Sequence, residues 1–234
     1  RAIDANATNG AAATAAPVVP AAPAAAPAPG VALPPPAVFN ALVGASKAKA
    51  SYSIAKTFVL GISAGMLIGM GGALMVKVGG ASPALAAANP GLTDILKGLV
   101  GLPTGLSLVV LTGAELYTGN VMVMLSGLLT GAVDKAALVR SWCASYAGNF
   151  VGALLLAWLA CVAQATASPA VSAAAAGVAV AKVSAPFAAA VAKGVLGNWL
   201  VCLAVWGATA SQTVTGKMLA VTLPVSAFVA LGFE

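Results

Sequence analysis

TGAELYTGN, residues 112–120, interrupts a long apolar segment that begins near Leu96 and resumes at once as VMVMLSGLL. An acidic residue at the middle of a membrane helix costs roughly 2.5 to 3.5 kcal/mol. Non-helical backbone is tolerated at that depth only where it is buried in protein or faces a water-filled cavity. The stretch therefore predicts a break that divides one membrane span into two half-helices.

Each polar residue of the break has an expected local role. Gly113 and Gly119 permit backbone angles outside the helical region, and Thr118 and Asn120 are residue types that cap freed backbone groups. Glu115 requires a hydrogen-bonding or neutralising partner. The alternative is a loop between two ordinary spans, but the apolar run of residues 121–133 is too short to cross a bilayer alone.

The composition is that of a membrane protein. The chain of 234 residues is 61% hydrophobic and 7% charged, with a mean hydropathy of +1.01, whereas soluble domains carry roughly a quarter of their residues as charged ones. A spanning helix needs about 20 apolar residues. Five segments qualify and predict an all-α membrane protein: Lys56–Val78, Leu96–Val133, Leu138–Thr166, Phe187–Thr209 and Met218–Phe233.

The N-terminal part is expected to be a separate region. Residues 1–50 include the Ala/Pro-rich repeat AAPAAAPAP and predict a disordered leader, and residues 51–234 predict the transmembrane domain. The leader lacks the charged and apolar regions of a secretory signal. An organelle transit remnant and a plain linker remain open, and because the first residue is Arg1, a processed chain or a fragment is expected.

The net charge of +6 has two interpretations. In the first, the basic residues reflect the usual enrichment of Lys and Arg near helix ends. In the second, some of them line the route of an anion. The basic residues are scattered along the sequence and form no cluster, which argues against a nucleic-acid partner. With the N-terminus on the cytoplasmic side, six basic residues lie on that side and four opposite, which favours this orientation: Lys47, Lys49, Lys56, Lys135, Arg140 and Lys217 against Lys77, Lys97, Lys182 and Lys193.

Cofactor and metal chemistry are not predicted. The sequence has no histidine, and its cysteines, Cys143, Cys161 and Cys202, all lie within apolar segments. A free thiol in such a segment behaves as a small hydrophobic group. We therefore expect no cofactor, no metal site and no enzymatic activity.

The break has a second copy near the end of the chain. Gly232-Phe233-Glu234 repeats the G-x-E of Gly113-Ala114-Glu115 at a corresponding late position in a span. Paired interruptions in two halves indicate inverted repeats with the transport site at their interface. Six spans are then expected, of which about five are present, so we expect the chain to be truncated at its C-terminus.

Five motifs resemble the formate/nitrite transporter family, from about Lys56 to Glu234. They are KTFVLGISAG, GLPTGLSLVVLTGAELYTGN, SYAGNFVGALLLAW, GNWLVCLAVW and LPVSAFVALGFE. The leader and the segment ANPGL look most like green-algal chloroplast-envelope members associated with nitrite and bicarbonate. The resemblance implies an aquaporin-like homopentamer with broken second and fifth helices. Each protomer's pore would pass small monovalent anions such as formate, nitrite, hydrosulfide or bicarbonate, sometimes with a proton.

The resemblance also implies site residues. Those matched to the substrate pathway are Lys182 at the outer vestibule, Leu102, Leu116 and Thr118 around the narrow ring, and Asn198, Val201 and Phe228 at the inner slit. Those matched to the organisation of the broken helices are Glu115 and Glu234, together with Gly113, Gly119 and Asn120 of the break. The family's central histidine follows the GFE glutamate and has no counterpart here.

Without the resemblance, plainer roles remain open. Apolar side chains pack in helix cores, an isolated lysine snorkels to the interface, and an asparagine bonds between helices. Two other function classes also remain. One is a neutral-solute channel of the aquaporin type, although only Asn89-Pro90-Gly91 approaches its Asn-Pro-Ala motif. The other is a non-transporting scaffold.

Overall fold

A computed structural model describes residues 32–233. These residues form helices and no strand, which confirms the all-α prediction. Glu234 and residues 1–31, the larger part of the predicted leader, lie outside the described residues. The helices are α1 Pro35–Ala50, α2 Ile54–Gly80, α3 Pro83–Ala88, α4 Pro90–Val100, α5 Leu102–Thr112, α6 Tyr117–Leu129, α7 Lys135–Val162, α8 Pro169–Val183, α9 Phe187–Ala210 and α10 Val214–Ala230.

Four helical segments of the described chain are long and apolar enough to cross a membrane: α2, the bent pair α4–α5, α7 and α9. The second span begins at Pro90, six residues before the predicted Leu96, and bends at Gly101. After α5 the chain is non-helical until Tyr117, where α6 begins. The predicted break is therefore present, and α6 and α10 are shorter helices of 13 and 17 residues.

Helix α1 corrects the predicted leader. The prolines of residues 35–50 predict a disordered region, yet these residues form a helix with proline in its first turn. Proline is favoured there, because the first turn needs no donor from its backbone nitrogen. Val38 and Leu42 are buried and pack against Val123 of α6. The disordered leader therefore cannot extend to residue 50.

Helix α8 is a second element that the sequence does not predict. It has 15 residues, fewer than a span requires, and is rich in alanine. Val171 is completely buried because its backbone approaches Gly80 at the end of α2, where an added Cβ would lie 2.6 Å from the Cα of Val171. The helix thus packs on the bundle without crossing it by itself.

The tightest packing joins α2 and α7. Each carries two glycines four residues apart, Gly61 and Gly65 on α2 and Gly148 and Gly152 on α7. A Cβ at Gly148 would lie 2.9 Å from the Cα of Gly61, and one at Gly152 would collide with Ile62. Small residues at this spacing let two membrane helices approach backbone to backbone.

Two parts of the chain repeat the same order of elements. In the first, α1 ends near Lys49, α2 comes next, and the helix α5 ends at Gly113. In the second, α8 ends near Lys182, α9 comes next, and α10 ends just before Gly232. The φ angles of the two glycines are 71° and 64°. This arrangement agrees with the repeat expected from the two G-x-E sequences.

Candidate functional site

The break occupies residues 113–116 between α5 and α6. Gly113 is left-handed, with φ 71° and ψ 24°, and the N–H groups of Gly113 and Ala114 both donate to the Val109 carbonyl. Gly113 therefore makes the turn for which glycine was expected. Gly119 does not, because it lies in the first turn of α6. Of the two glycines that permit non-helical backbone, Gly113 uses that freedom and Gly119 does not.

The start of α6 is capped by a side chain from α7. Asn149 accepts a hydrogen bond from the Tyr117 N–H through Oδ1 at 2.8 Å. Its Nδ2 donates to the carbonyls of Gly61 and Glu115, both at 2.9 Å. Capping by Thr118 and Asn120 was the expectation, and it is wrong. Both residues lie inside α6, whose N-cap residue is Leu116.

Glu115 is the charged residue of the break, and it is almost completely buried. Its residue is 1% exposed. Lys49 Nζ of α1 donates to Oε1 at 2.5 Å, and Asn120 Nδ2 donates to Oε2 at 2.8 Å. The Asn120 carbonyl in turn accepts from Trp142 Nε1 at 3.2 Å. Both carboxylate oxygens are thus satisfied by protein groups, as a buried carboxylate requires.

Sequence reasoning missed Lys49 and Asn149. The need for a partner to Glu115 was evident, but Lys49 lies 66 positions away and Asn149 lies 32 positions from Tyr117. Only their residue types were a signal. Lys49 is one of 11 basic residues, and Asn149 is the asparagine of the apolar motif SYAGNFVGALLLAW.

Most of the predicted pathway residues line one cavity of about 640 Å³. Its walls come from α5, α6, α9 and α10, with one residue of α2 and Leu116 of the break. The lining is apolar except for Tyr117, Thr118 and Asn198. The predicted residues it brings together are Leu102, Leu116, Thr118, Asn198, Val201 and Phe228.

A second cavity of about 200 Å³ lies beyond a pair of leucines. Leu106 and Leu116 line both cavities and are 2% and 8% exposed. Lys49 and Gly119 line the second cavity. Leu106 was not predicted, although it lies one helical turn after Leu102 and therefore shares its face. The two leucines therefore lie between the cavities, and we refer to this apolar pair as the constriction.

Polar groups lie at the two cavities where α6 begins, Thr118 at the larger and Gly119 at the smaller. Within residues 32–233, the N–H groups of Thr118 and Gly119 have no backbone acceptor, and Asn198 Oδ1 is buried without a hydrogen-bond partner. Asn198 Nδ2 faces Cys202 Sγ at 3.8 Å. The N-terminus of a helix attracts anions through its unpaired N–H groups and its dipole.

Lys182 lies apart from this lining. Its side chain at the end of α8 is exposed, and Nζ donates to the Phe233 carbonyl at 2.9 Å. It therefore contacts the end of α10 and not the wall of the larger cavity. Among the described residues, no cluster of His, Cys, Asp or Glu has the composition of a metal site.

A family model described as formate/nitrite transporter matches residues 36–234, almost all of the described chain. The chain belongs to the formate/nitrite transporter family. A probable formate transporter of Methanothermobacter thermautotrophicus is 39% identical over 196 residues, which cover 77% of this chain and 71% of that protein. The formate channel FocA of Escherichia coli K12 is 33% identical over 189 residues, or 80% of this chain and 64% of that one.

Solved formate/nitrite transporter structures share the fold. A pentameric formate channel with formate bound superposes with a TM-score of 0.69 at 33% identity, covering 77% of this chain and 70% of that one. An ion channel of the same family superposes with a TM-score of 0.76 at 28% identity, covering 85% and 78%. These relatives are channels and transporters, not enzymes, and the chain is accordingly an integral membrane protein of a transport family.

Proposed function

We propose that this formate/nitrite transporter conducts formate and similar small monovalent anions, including nitrite and bicarbonate, through the two cavities. The observation that carries the proposal is the cavity of about 640 Å³ on which six predicted pathway residues converge. It ends at Leu106 and Leu116, beside the start of α6. The formate channels among its relatives support formate as the first substrate to test.

The anion would meet two successive environments. The N-terminus of α6, Thr118 and the amide of Asn198 offer hydrogen-bond donors in the larger cavity. The leucine pair beyond it offers none, and an apolar constriction opposes the passage of hydrated ions. A charged species in low dielectric is costly, whereas the neutral acid is not. Passage as the weak acid, which links anion flux to a proton, is the route that this difference favours.

The proposed assembly is a homopentamer in the bilayer. Apolar side chains stand exposed on the outer faces of α7 and α9, including Phe150, Trp158 and Trp199, each at least 60% exposed. Exposed apolar surface on this scale is covered by lipid or by partner subunits. The pentameric relative supports five copies of the chain, each with its own pore.

The proposed location is the chloroplast envelope. Its support is the acid-poor, Ala/Pro-rich composition of the leader and the resemblance to green-algal members. A fluorescent fusion of the full natural chain should mark the rim of the chloroplast. A plasma-membrane or mitochondrial signal would contradict the location and leave the transport proposal standing.

Flux into proteoliposomes tests the function. The protein should admit formate, nitrite and bicarbonate, with formate flux rising as the pH falls if the weak acid is the species that crosses. Thr118→Val removes a hydroxyl at the cavity lining and should reduce anion flux. Thr104→Val is the matched control, because Thr104 is exposed on α5 and bonds the Val100 carbonyl. Swelling driven by glycerol without anion flux would instead indicate a neutral-solute channel.

A further inference from the structure

Asn149 occupies a position that close helix packing makes possible. The glycines of α2 and α7 bring the two backbones into contact, and a Cβ at Gly65 would collide with the Asn149 carbonyl. At this separation a short side chain on α7 reaches past α2 into the break. Its Nδ2 lies 2.9 Å from the Gly61 carbonyl of α2 and 2.9 Å from the Glu115 carbonyl.

Two of the hydrogen bonds of Asn149 are to the backbone on either side of Leu116. The Glu115 carbonyl and the Tyr117 N–H are the backbone groups on either side of Leu116, and Asn149 bonds both. Leu116 itself is extended, with φ −87° and ψ 124°. One amide thus fixes the backbone on both sides of a leucine that separates the two cavities.

The chemistry of the site requires a primary amide of this length. Two carbonyls and one N–H call for two donors and one acceptor on one planar group, which an asparagine side chain offers. An ionised aspartate has the shape but no donor, and a serine has a single donor. Gly61 and Glu115 are buried and Tyr117 is partly buried, and a buried polar group that loses its partner is costly.

We propose that Asn149 is a positioning residue that sets the width of the constriction by holding Leu116 in its extended conformation. The proposal rests on the proposed function, since the constriction acts on the transported anion. Asn149 does not line the larger cavity. It acts through the backbone of Leu116. Loss of Asn149 should therefore alter the selectivity among anions more than it alters assembly of the protein.

The first test measures exclusion by size in proteoliposomes. In the unaltered protein, formate should pass much faster than lactate. Asn149→Asp keeps the side-chain shape and the acceptor but removes both donors. Loss of the hydrogen bond to the Glu115 carbonyl, which holds one side of Leu116, should lower the formate-to-lactate flux ratio by about tenfold. Asn40→Asp, on the exposed face of α1, should leave the ratio unchanged. A reduced amount of pentamer with an unchanged ratio would overturn the proposal.

The second test needs no transport measurement. Hydrogen exchange resolved to single residues should find the Tyr117 amide protected and the Thr118 and Gly119 amides exchanging faster, because Asn149 bonds the first and the others have no backbone acceptor within residues 32–233. In N149D a carboxylate oxygen still accepts from the Tyr117 N–H, so the protection should persist, whereas in Asn149→Ala, which has no acceptor, it should fall by about tenfold or more. Equal exchange at Tyr117 and Thr118 in the unaltered protein would overturn the role of Asn149. Protection without any anion flux would contradict the proposed function alone.

Discussion

The two glycine turns, at Gly113 and Gly232, have the same local structure and different surroundings. Their φ angles are 71° and 64°, and in both the next N–H donates to the carbonyl five residues back, Ala114 to Val109 and Phe233 to Phe228. An added Cβ would meet no atom within 4 Å at either glycine. The turn itself is therefore a local property that the sequence repeats.

Among residues 32–233, the surroundings of the two turns differ in burial. After Gly113 the chain is buried, and Glu115 is held by Lys49 and Asn120, with side-chain exposures of 19% for Lys49 and 2% for Glu115. Before Gly232, Leu231 is 62% exposed, and the exposed Lys182 bonds the carbonyl of Phe233. Among the described residues, the first turn is thus followed by a buried ion pair, and the Lys182 contact at the second turn is exposed.

Removing Lys49 should have the largest effect. Lys49→Ala leaves the Glu115 carboxylate buried without its cation, which costs about 3–5 kcal/mol. We expect a marked fall in the thermal unfolding midpoint of the detergent-purified protein. Lys47→Ala is the control, because Lys47 is on the same helix without an ion pair among the described residues.

A double variant separates charge from packing in that network. Lys49→Ala combined with Glu115→Gln removes both charges and should recover most of the lost midpoint. Equal midpoints for Lys47→Ala and Lys49→Ala would show that the buried pair contributes nothing to stability.

The two glycines should respond alike in stability and differently in transport. Gly113→Ala and Gly232→Ala each place a side chain in the left-handed region, at a cost of about 1–2 kcal/mol. Because Gly113 borders the smaller cavity, formate flux per folded protein should fall more in Gly113→Ala. Gly72→Ala, a helical position with room for a Cβ, should be stabilising by up to about 1 kcal/mol.

Loss of Lys182 should have the smallest effect on stability. Because it is an exposed cation, its contacts contribute about 0–1 kcal/mol, so the midpoint of Lys182→Ala should barely move. Its charge should still raise local anion concentration, and formate flux in the variant should therefore fall at low ionic strength and match the unaltered protein in high salt. If Lys182→Ala lowered the unfolding midpoint as much as Lys49→Ala does, the two lysines would contribute equally to stability, which would contradict this prediction.

Much of the fold was predictable because its signals are local. Apolar length predicted the spans, and the polar residues of TGAELYTGN predicted the break. Helices α1 and α8 were missed for opposite reasons. Proline at the start of α1 was interpreted as disorder although it suits a first helical turn, and α8 is too short to be recognised as a span.

The candidate site was predictable through its motifs and less so through its contacts. The motifs predicted six residues that line the larger cavity, but not Leu106, which lines both cavities with Leu116. The residue types in the break also suggested that Thr118 and Asn120 cap α6. The structure assigns that bond to Asn149 of α7, because the N-cap residue of α6 is Leu116, whose side chain has no oxygen to accept it.

By itself, the sequence determined that the chain spans a membrane, that its second span breaks at Gly113, and that the same turn returns at Gly232. Those properties depend on apolar length and on backbone sterics within a few residues. Only the tertiary structure decided that Lys49 neutralises Glu115 and that Asn149 holds both sides of Leu116. Each partner lies more than 30 positions away along the chain, and it comes within hydrogen-bonding distance only when the helices pack.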